Sequence, residues 1–188
     1  DKRHWRLIVI TAIIYAGLLI PLKPFPIVPG FTELRPANFV PVLAGVLFGP
    51  AGAWGSAFGN LIADIFSSLT MGGLGTLTAG SLFGFAGNFL FAYLAWQVWA
   101  LLSEKDKPVT ERRQLGIFAV AALMGSIVCA AVIGLGVFLL GLKTLPDTMF
   151  MVMFISLNNF IPALVLGTIF LVLLYDKAKE AKLVYEGK

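Results

Sequence analysis

Charged side chains are scarce in this chain: they make up 13% of its residues, against about a quarter in an average soluble domain. A soluble fold of 188 residues needs a polar surface that so few charges cannot cover. Histidine occurs once, as His4 in the N-terminal tail, which excludes a histidine-based metal cluster. It also leaves every serine without a histidine base inside an apolar core, so catalysis has little support. Cysteine occurs once, as Cys129, which excludes an intramolecular disulfide. Set in an apolar run beside Ala130 and Ala131, it reads as a small buried thiol. A nucleotide-binding loop is missing too. The glycine-rich stretch Met71-Gly72-Gly73-Leu74-Gly75-Thr76 follows an apolar helix and not a strand. No row of carboxylates repeats along one helix, which counts against a selective pore. The basic start from Lys2 to Arg6 precedes an apolar run without a small-residue cleavage site, so that run reads as a span and not a leader.

What the chain does have is apolar length. Hydrophobic residues make up 59%, and the mean hydropathy is +0.90. The size suits one domain, a single six-helix membrane unit over residues 1–188. Apolar runs predict six transmembrane helices over about 7–22, 36–48, 51–69, 77–102, 115–142 and 149–175. A spanning helix needs roughly 20 residues. The second run is short and must begin earlier or be sheltered by its neighbours. Gly49-Pro50-Ala51-Gly52 is a tight turn between the second and third runs.

Charge orients the bundle. Lys2, Arg3 and Arg6 precede the first span; Lys105, Lys107, Arg112 and Arg113 lie between the fourth and fifth; Lys177, Lys179 and Lys182 follow the sixth. Six spans put all three clusters on one side, and the positive-inside rule makes that side cytoplasmic. Both termini are then inside. The opposite loops carry only Lys23, Arg35 and Lys143.

Polar residues inside the spans are the candidate site. An ionisable group there is costly and marks function by default. Asp64 is the main case, with Asn60 four residues earlier and Ser56 eight earlier on one helix face. At about 1.5 Å per residue Asp64 lies roughly 20 Å along its helix, in the outer half of the bilayer. Asn88 lies roughly 16 Å deep from outside, and Asn158 and Asn159 roughly 14 to 15 Å. Such amides donate and accept, and suit a neutral heterocycle or amide. They also serve merely to tie helices together. Asp64 has Arg35 as a second candidate partner. The first outer loop, Lys23 to Pro36, is stiffened by prolines and offers Phe25, Phe31 and Leu34 as apolar contacts. Glu33, Arg35 and Asn38 sit where a lid meets a ligand. The alternative for Glu33 is a surface ion pair. The glycine-rich second outer loop suits a gate or a plain connector. Small residues repeat one turn apart at Ala12 and Ala16, Gly55 and Gly59, and Gly80 and Gly84, a spacing that lets helices approach closely.

Three stretches carry a family resemblance: Ala12-Ile13-Ile14-Tyr15-Ala16, then Phe39-Val40-Pro41-Val42-Leu43-Ala44-Gly45-Val46-Leu47-Phe48-Gly49-Pro50-Ala51-Gly52-Ala53, then Gly59-Asn60-Leu61-Ile62-Ala63-Asp64. With the size and the six spans, they resemble the substrate-binding S component of energy-coupling factor (ECF) transporters, which import vitamins in prokaryotes. The resemblance implies a multi-pass subunit of the prokaryotic cell membrane that binds its vitamin near the outer face, under outer-loop lids. It implies partners: a membrane scaffold, the T component, carrying two cytoplasmic ATPases, on which the subunit topples to release cargo. It implies no enzymatic activity and no bound cofactor, ATP being used by the partners. It places docking on Ala12 and Ala16. His4 behind Asp1-Lys2-Arg3 departs from the N-terminal metal-binding segment of the nickel and cobalt branch, so no metal cargo is expected. Cobalamin is the first choice of substrate, with riboflavin and a queuosine precursor as the others. The tryptophan-rich pocket expected for thiamine is not seen. The alternative class is a stand-alone secondary transporter or channel, which works without ATPases; an intramembrane enzyme lacks a nucleophile and base.

Overall fold

The computed structural model describes residues 2–22, 26–28, 32–33, 35–71 and 79–185. Six helices form the bundle: α1 (Lys2–Leu22), α2 (Phe39–Phe48), α3 (Pro50–Met71), α4 (Ala79–Leu102), α5 (Arg112–Leu139) and α6 (Leu145–Glu180). Between α1 and α2 lie two short antiparallel strands, β1 (Pro26–Val28) and β2 (Thr32–Glu33), and a 3-10 turn, Pro36–Asn38. β2 rests against α6, and the 3-10 turn sits between α1 and α6.

Apolar side chains face both ways. Inside, Val42, Val46, Phe91, Phe118 and Leu171 are sealed from solvent, with Trp99 and Cys129 among them. Outside, Ile13 on α1, Leu69 on α3 and Leu82 and Leu101 on α4 stand exposed. A water-soluble fold would not leave such a belt bare, whereas hydrocarbon chains cover it at no cost.

α1, α4, α5 and α6 are long and apolar enough to cross a bilayer; α2 and α3 do not meet that measure. Of the six expected spans, all six appear as helices among the described residues, and four are long and apolar enough to cross by themselves. The two that fall short do so for different reasons. α3 has 22 residues, but Ser56, Asn60, Asp64, Ser67 and Ser68 lower its hydropathy. α2 is apolar throughout but has only ten residues. Ten residues rise about 15 Å, half of a hydrocarbon core of about 30 Å. Its neighbours enclose it, with Val40 through Leu47 all buried.

Sequence fixes where α2 starts and stops. Pro36 opens the 3-10 turn, and Pro41 sits in the first turn of α2, where a missing N–H is tolerated. Gly49 ends the helix at φ 57°, a conformation that side chains resist, and Pro50 starts α3 at once. Gly45 lets α2 press its backbone onto the carbonyl of Ala92 in α4; any side chain there collides.

One end of the bundle is tied together. The Tyr185 amide donates to the Leu47 carbonyl at 2.8 Å, and its ring lies over Gly49 and edge-on to Trp96. Lys179 Nζ donates to the Lys105 carbonyl at 3.1 Å, and Arg113 pairs with Glu104. The α2–α3 turn, the α4–α5 loop and the tail of α6 thus share an end. At the far end Thr144 caps α6, its hydroxyl donating to Asp147 Oδ2 at 2.6 Å. α6 then runs for 36 residues, past the expected end at Tyr175.

Candidate substrate-binding site

α1 turns Ile8, Thr11, Ala12, Tyr15, Ala16 and Leu19 inward, at the three- and four-residue spacing of one helix face. Tyr15 is the polar member that matters. A buried phenol requires a partner, and Tyr15, 1% exposed, has two. Its hydroxyl lies 2.8 Å from Asn88 Oδ1 on α4 and 3.1 Å from Asn38 Oδ1 at the head of α2. Asn38 Nδ2 in turn donates to Asn159 Oδ1 on α6 at 2.6 Å. Asn88 Nδ2 donates to the Gly84 carbonyl of its own helix at 2.9 Å. The Cys129 thiol of α5 lies within hydrogen-bonding reach of Asn159.

These groups form a chain across five helices. A phenol has one proton, so it serves one carbonyl at a time. Amide oxygen and nitrogen exchange places on a half-turn of the last torsion. With Asn38 and Asn159 both turned, each group donates onward: thiol to Asn159, Asn159 to Asn38, Asn38 to Tyr15, Tyr15 to Asn88, Asn88 to Gly84. In that arrangement no proton is contested. The half-length of α2 makes this network reachable, because it lowers Asn38 to the level of Asn88 and Asn159.

A second polar group lies beside the first. Asn60 Nδ2 donates to Asp64 Oδ2 at 3.1 Å along α3. Across from them Gly84 offers no side chain: a Cβ there would come 3.2 Å from Asn60 Nδ2 and 3.7 Å from Asp64 Oδ2. Ser56 and Ser68 share this face of α3 but spend their hydroxyls on the carbonyls of Gly52 and Asp64, each at 2.8 Å. Asp64 is half-buried, and both it and Arg35 lie close enough to act electrostatically on the Tyr15 hydroxyl. Arg35 itself is half-buried, and its carbonyl accepts from the Asn38 amide at 2.9 Å.

The predicted residues therefore divide. Asn38, Asn88 and Asn159 meet in one network; Asn60 and Asp64 form a pair against α4. Asn158 is half-buried and takes no part in the network bonds described. The backbone of Glu33 lies in β2, and its side chain lies outside the described residues. So do the lid residues Phe25, Phe31 and Leu34 and the glycine-rich stretch 72–78. Tyr15 was not singled out from the sequence; a phenol within the apolar run of α1 was the available signal. Among the described residues no three His, Cys, Asp or Glu side chains gather as a metal-binding group.

Ala12 and Ala16, expected at a docking surface, lie inside the bundle. They are buried at 5% and 4% exposure, and Gly55 and Gly59 of α3 press onto Thr11, Tyr15 and the Ala12 carbonyl. The small-residue stripe closes the α1–α3 seam within this chain. The outward face of α1 carries Val9, Ile10, Ile13, Ile14 and Gly17 instead.

A family model described as QueT transporter matches residues 6–176, from the start of α1 to the last turns of α6. The chain belongs to the QueT transporter family. QueT proteins are S components of ECF transporters, so the resemblance carried by the Ala12–Ala16, Phe39–Ala53 and Gly59–Asp64 stretches holds. The match makes the chain a multi-pass membrane transport protein. No curated protein and no solved structure matches it.

Proposed function

We propose that this QueT chain is the substrate-binding subunit of an ECF importer in a prokaryotic cell membrane, and that its cargo is a queuosine precursor, a 7-deazaguanine base. The family match supports the cargo class and moves the choice from cobalamin to the precursor. The observation that carries it is the Asn60–Asp64 pair on α3, a buried amide donating to a half-buried carboxylate within an apolar bundle. A deazaguanine base is flat and neutral and presents adjacent N–H donors beside a carbonyl. A carboxylate acceptor beside an amide suits that edge.

Delivery requires the T component and two ATPases, since S components carry no energy source. The direct experiment is calorimetric titration of the protein in lipid nanodiscs with a 7-deazaguanine base, and separately with cobalamin. Saturable binding of the base and none of cobalamin is the expected result. Binding of cobalamin alone would overturn the choice of cargo. Uptake by cells lacking the T component and ATPases would favour the stand-alone transporter.

A further inference from the structure

α6 is packed unevenly about its internal proline. From Pro162 downward the helix is pinned: Pro162, Ala163, Gly167, Leu171 and Ala178 are buried, the Phe118 ring lies against Gly167, and Phe39 stacks on Phe170 at 4.8 Å. Above it only Thr148 and Asn159 are buried, while Met149, Phe150, Met153 and Leu157 stand exposed. That upper half meets α5 where Val152 and Thr148 lie against Gly134. Its polar tie to the head of α2 is Asn159, bonded to Asn38.

Proline has no N–H, so at Pro162 the Asn158 carbonyl loses its helical donor and the helix loses stiffness. Such an acceptor at membrane depth calls for a donor from a neighbouring helix. One lies level with it. α5 and α6 run antiparallel, with Phe118 against Gly167, Gly134 against Val152 and Cys129 facing Asn159. Three residues back along α5 and three on along α6 therefore bring Ser126 level with Pro162. Ser126 is 0% exposed, and its hydroxyl has no partner among the described residues. Ser56, Ser68, Thr70 and Ser156 each spend theirs on the carbonyl four residues back; Ser126 does not.

Resting on the reading of this chain as an outward-facing binding subunit, we infer that α6 is a two-position entry gate hinged at Pro162. Closed, as here, Asn159 holds Asn38 at the head of α2. Open, the upper half leans away from α2, that bond breaks, and Ser126 Oγ donates to the Asn158 carbonyl instead. Each position has one hydrogen bond that the other lacks, so the two lie close in free energy and cargo selects between them. The lower half stays in place because Phe118 and Phe39 hold it.

The test places pairs of nitroxide labels on the Cys129→Ser protein in nanodiscs and reads their separations by pulsed electron spin resonance. The outer pair joins Leu82→Cys on α4 to Met153→Cys on α6; the inner pair joins Leu101→Cys to Leu173→Cys, all at exposed positions. Met153 stands about 14 Å above the hinge, so a bend of about 20° moves it by about 5 Å. Without cargo the outer pair is expected to show two separations that far apart, and the inner pair one. Ser126→Ala is expected to reduce the open population about fivefold, the loss of one hydrogen bond. Pro162→Ala, which restores the helical bond, is expected to leave the closed separation alone and to slow association of 7-deazaguanine about tenfold or more. An outer pair as narrow as the inner one, an open population unchanged in Ser126→Ala, or association unchanged in Pro162→Ala overturns the inference. If 7-deazaguanine does not bind the parent, the cargo reading fails and the separations still decide the hinge. Should Pro162→Ala fail to fold, the two label pairs and Ser126→Ala decide it.

Discussion

Asparagine does two different jobs a few ångströms apart in this bundle. Asn38, Asn88 and Asn159 are buried at 5%, 6% and 6% exposure and bond to Tyr15 and to one another. Asn60 bonds instead to Asp64, a half-buried carboxylate facing Gly84 of α4. In the first group the amides replace apolar packing with directed bonds and fix how α1, α2, α4 and α6 meet. In the second the amide orients a charge. The lesson is that depth in the membrane does not separate amides that tie helices together from one that orients a charge. What separates them is whether the partner is a neutral group or a carboxylate.

The sharpest way to break that distinction is at the hub. Tyr15→Ala is expected to cost about 3–5 kcal/mol of stability, from the cavity and the stranded amides together. It should appear as a large drop in thermal midpoint in detergent; an unchanged midpoint would show that the network ties nothing. Tyr15→Phe keeps the ring and removes only the hydroxyl, so about 1–3 kcal/mol is expected, with ligand affinity altered by no more than about twofold. Affinity that falls as far as it does in Asp64→Asn would merge the two groups into one. On α6 the comparison reduces to adjacent residues. Asn159→Ala is expected to destabilise by about 1–2 kcal/mol and Asn158→Ala by less than about 0.5 kcal/mol, read as unfolding midpoints. Equal losses would mean that Asn158 belongs to the network. Cys129→Ser is expected to change stability by no more than about 1 kcal/mol, since a hydroxyl can also bond to Asn159. The native thiol, 1% exposed, should resist maleimide labelling until the protein is denatured.

The sequence made the membrane character, the helices and the level of the site legible, because apolar runs and depth along a helix are local properties. Asn88 and Asn159 follow from counting residues along their helices, and Asn38 from its place at the end of the first outer loop. Which of Asn158 and Asn159 turns inward was not legible, since adjacent helical positions differ only by rotation. Tyr15 was hidden for another reason: its importance depends on Asn38 and Asn88, which are 23 and 73 residues away. The alanines beside it were read as an outward surface, and the packing of α3 could not be anticipated from spacing alone. All six expected spans are helices, and the two that fall short of the measure of a free span are the two that serve polar groups: α3 carries the Asn60–Asp64 pair, and α2 stops short to bring Asn38 to Tyr15.

The brevity of α2 also sets an order of assembly. A nascent chain inserts its helices from the N-terminus onward, yet α2 is too short to rest in lipid alone. Its head waits for Asn159, 121 residues downstream, and its foot for Tyr185. The second helix to be synthesised is therefore the last to be completed. Until α6 arrives, the biosynthetic machinery or α1 and α3 must shelter it. A ribosome-bound intermediate halted before Asn159 should expose α2 to proteolysis, while the finished protein protects it.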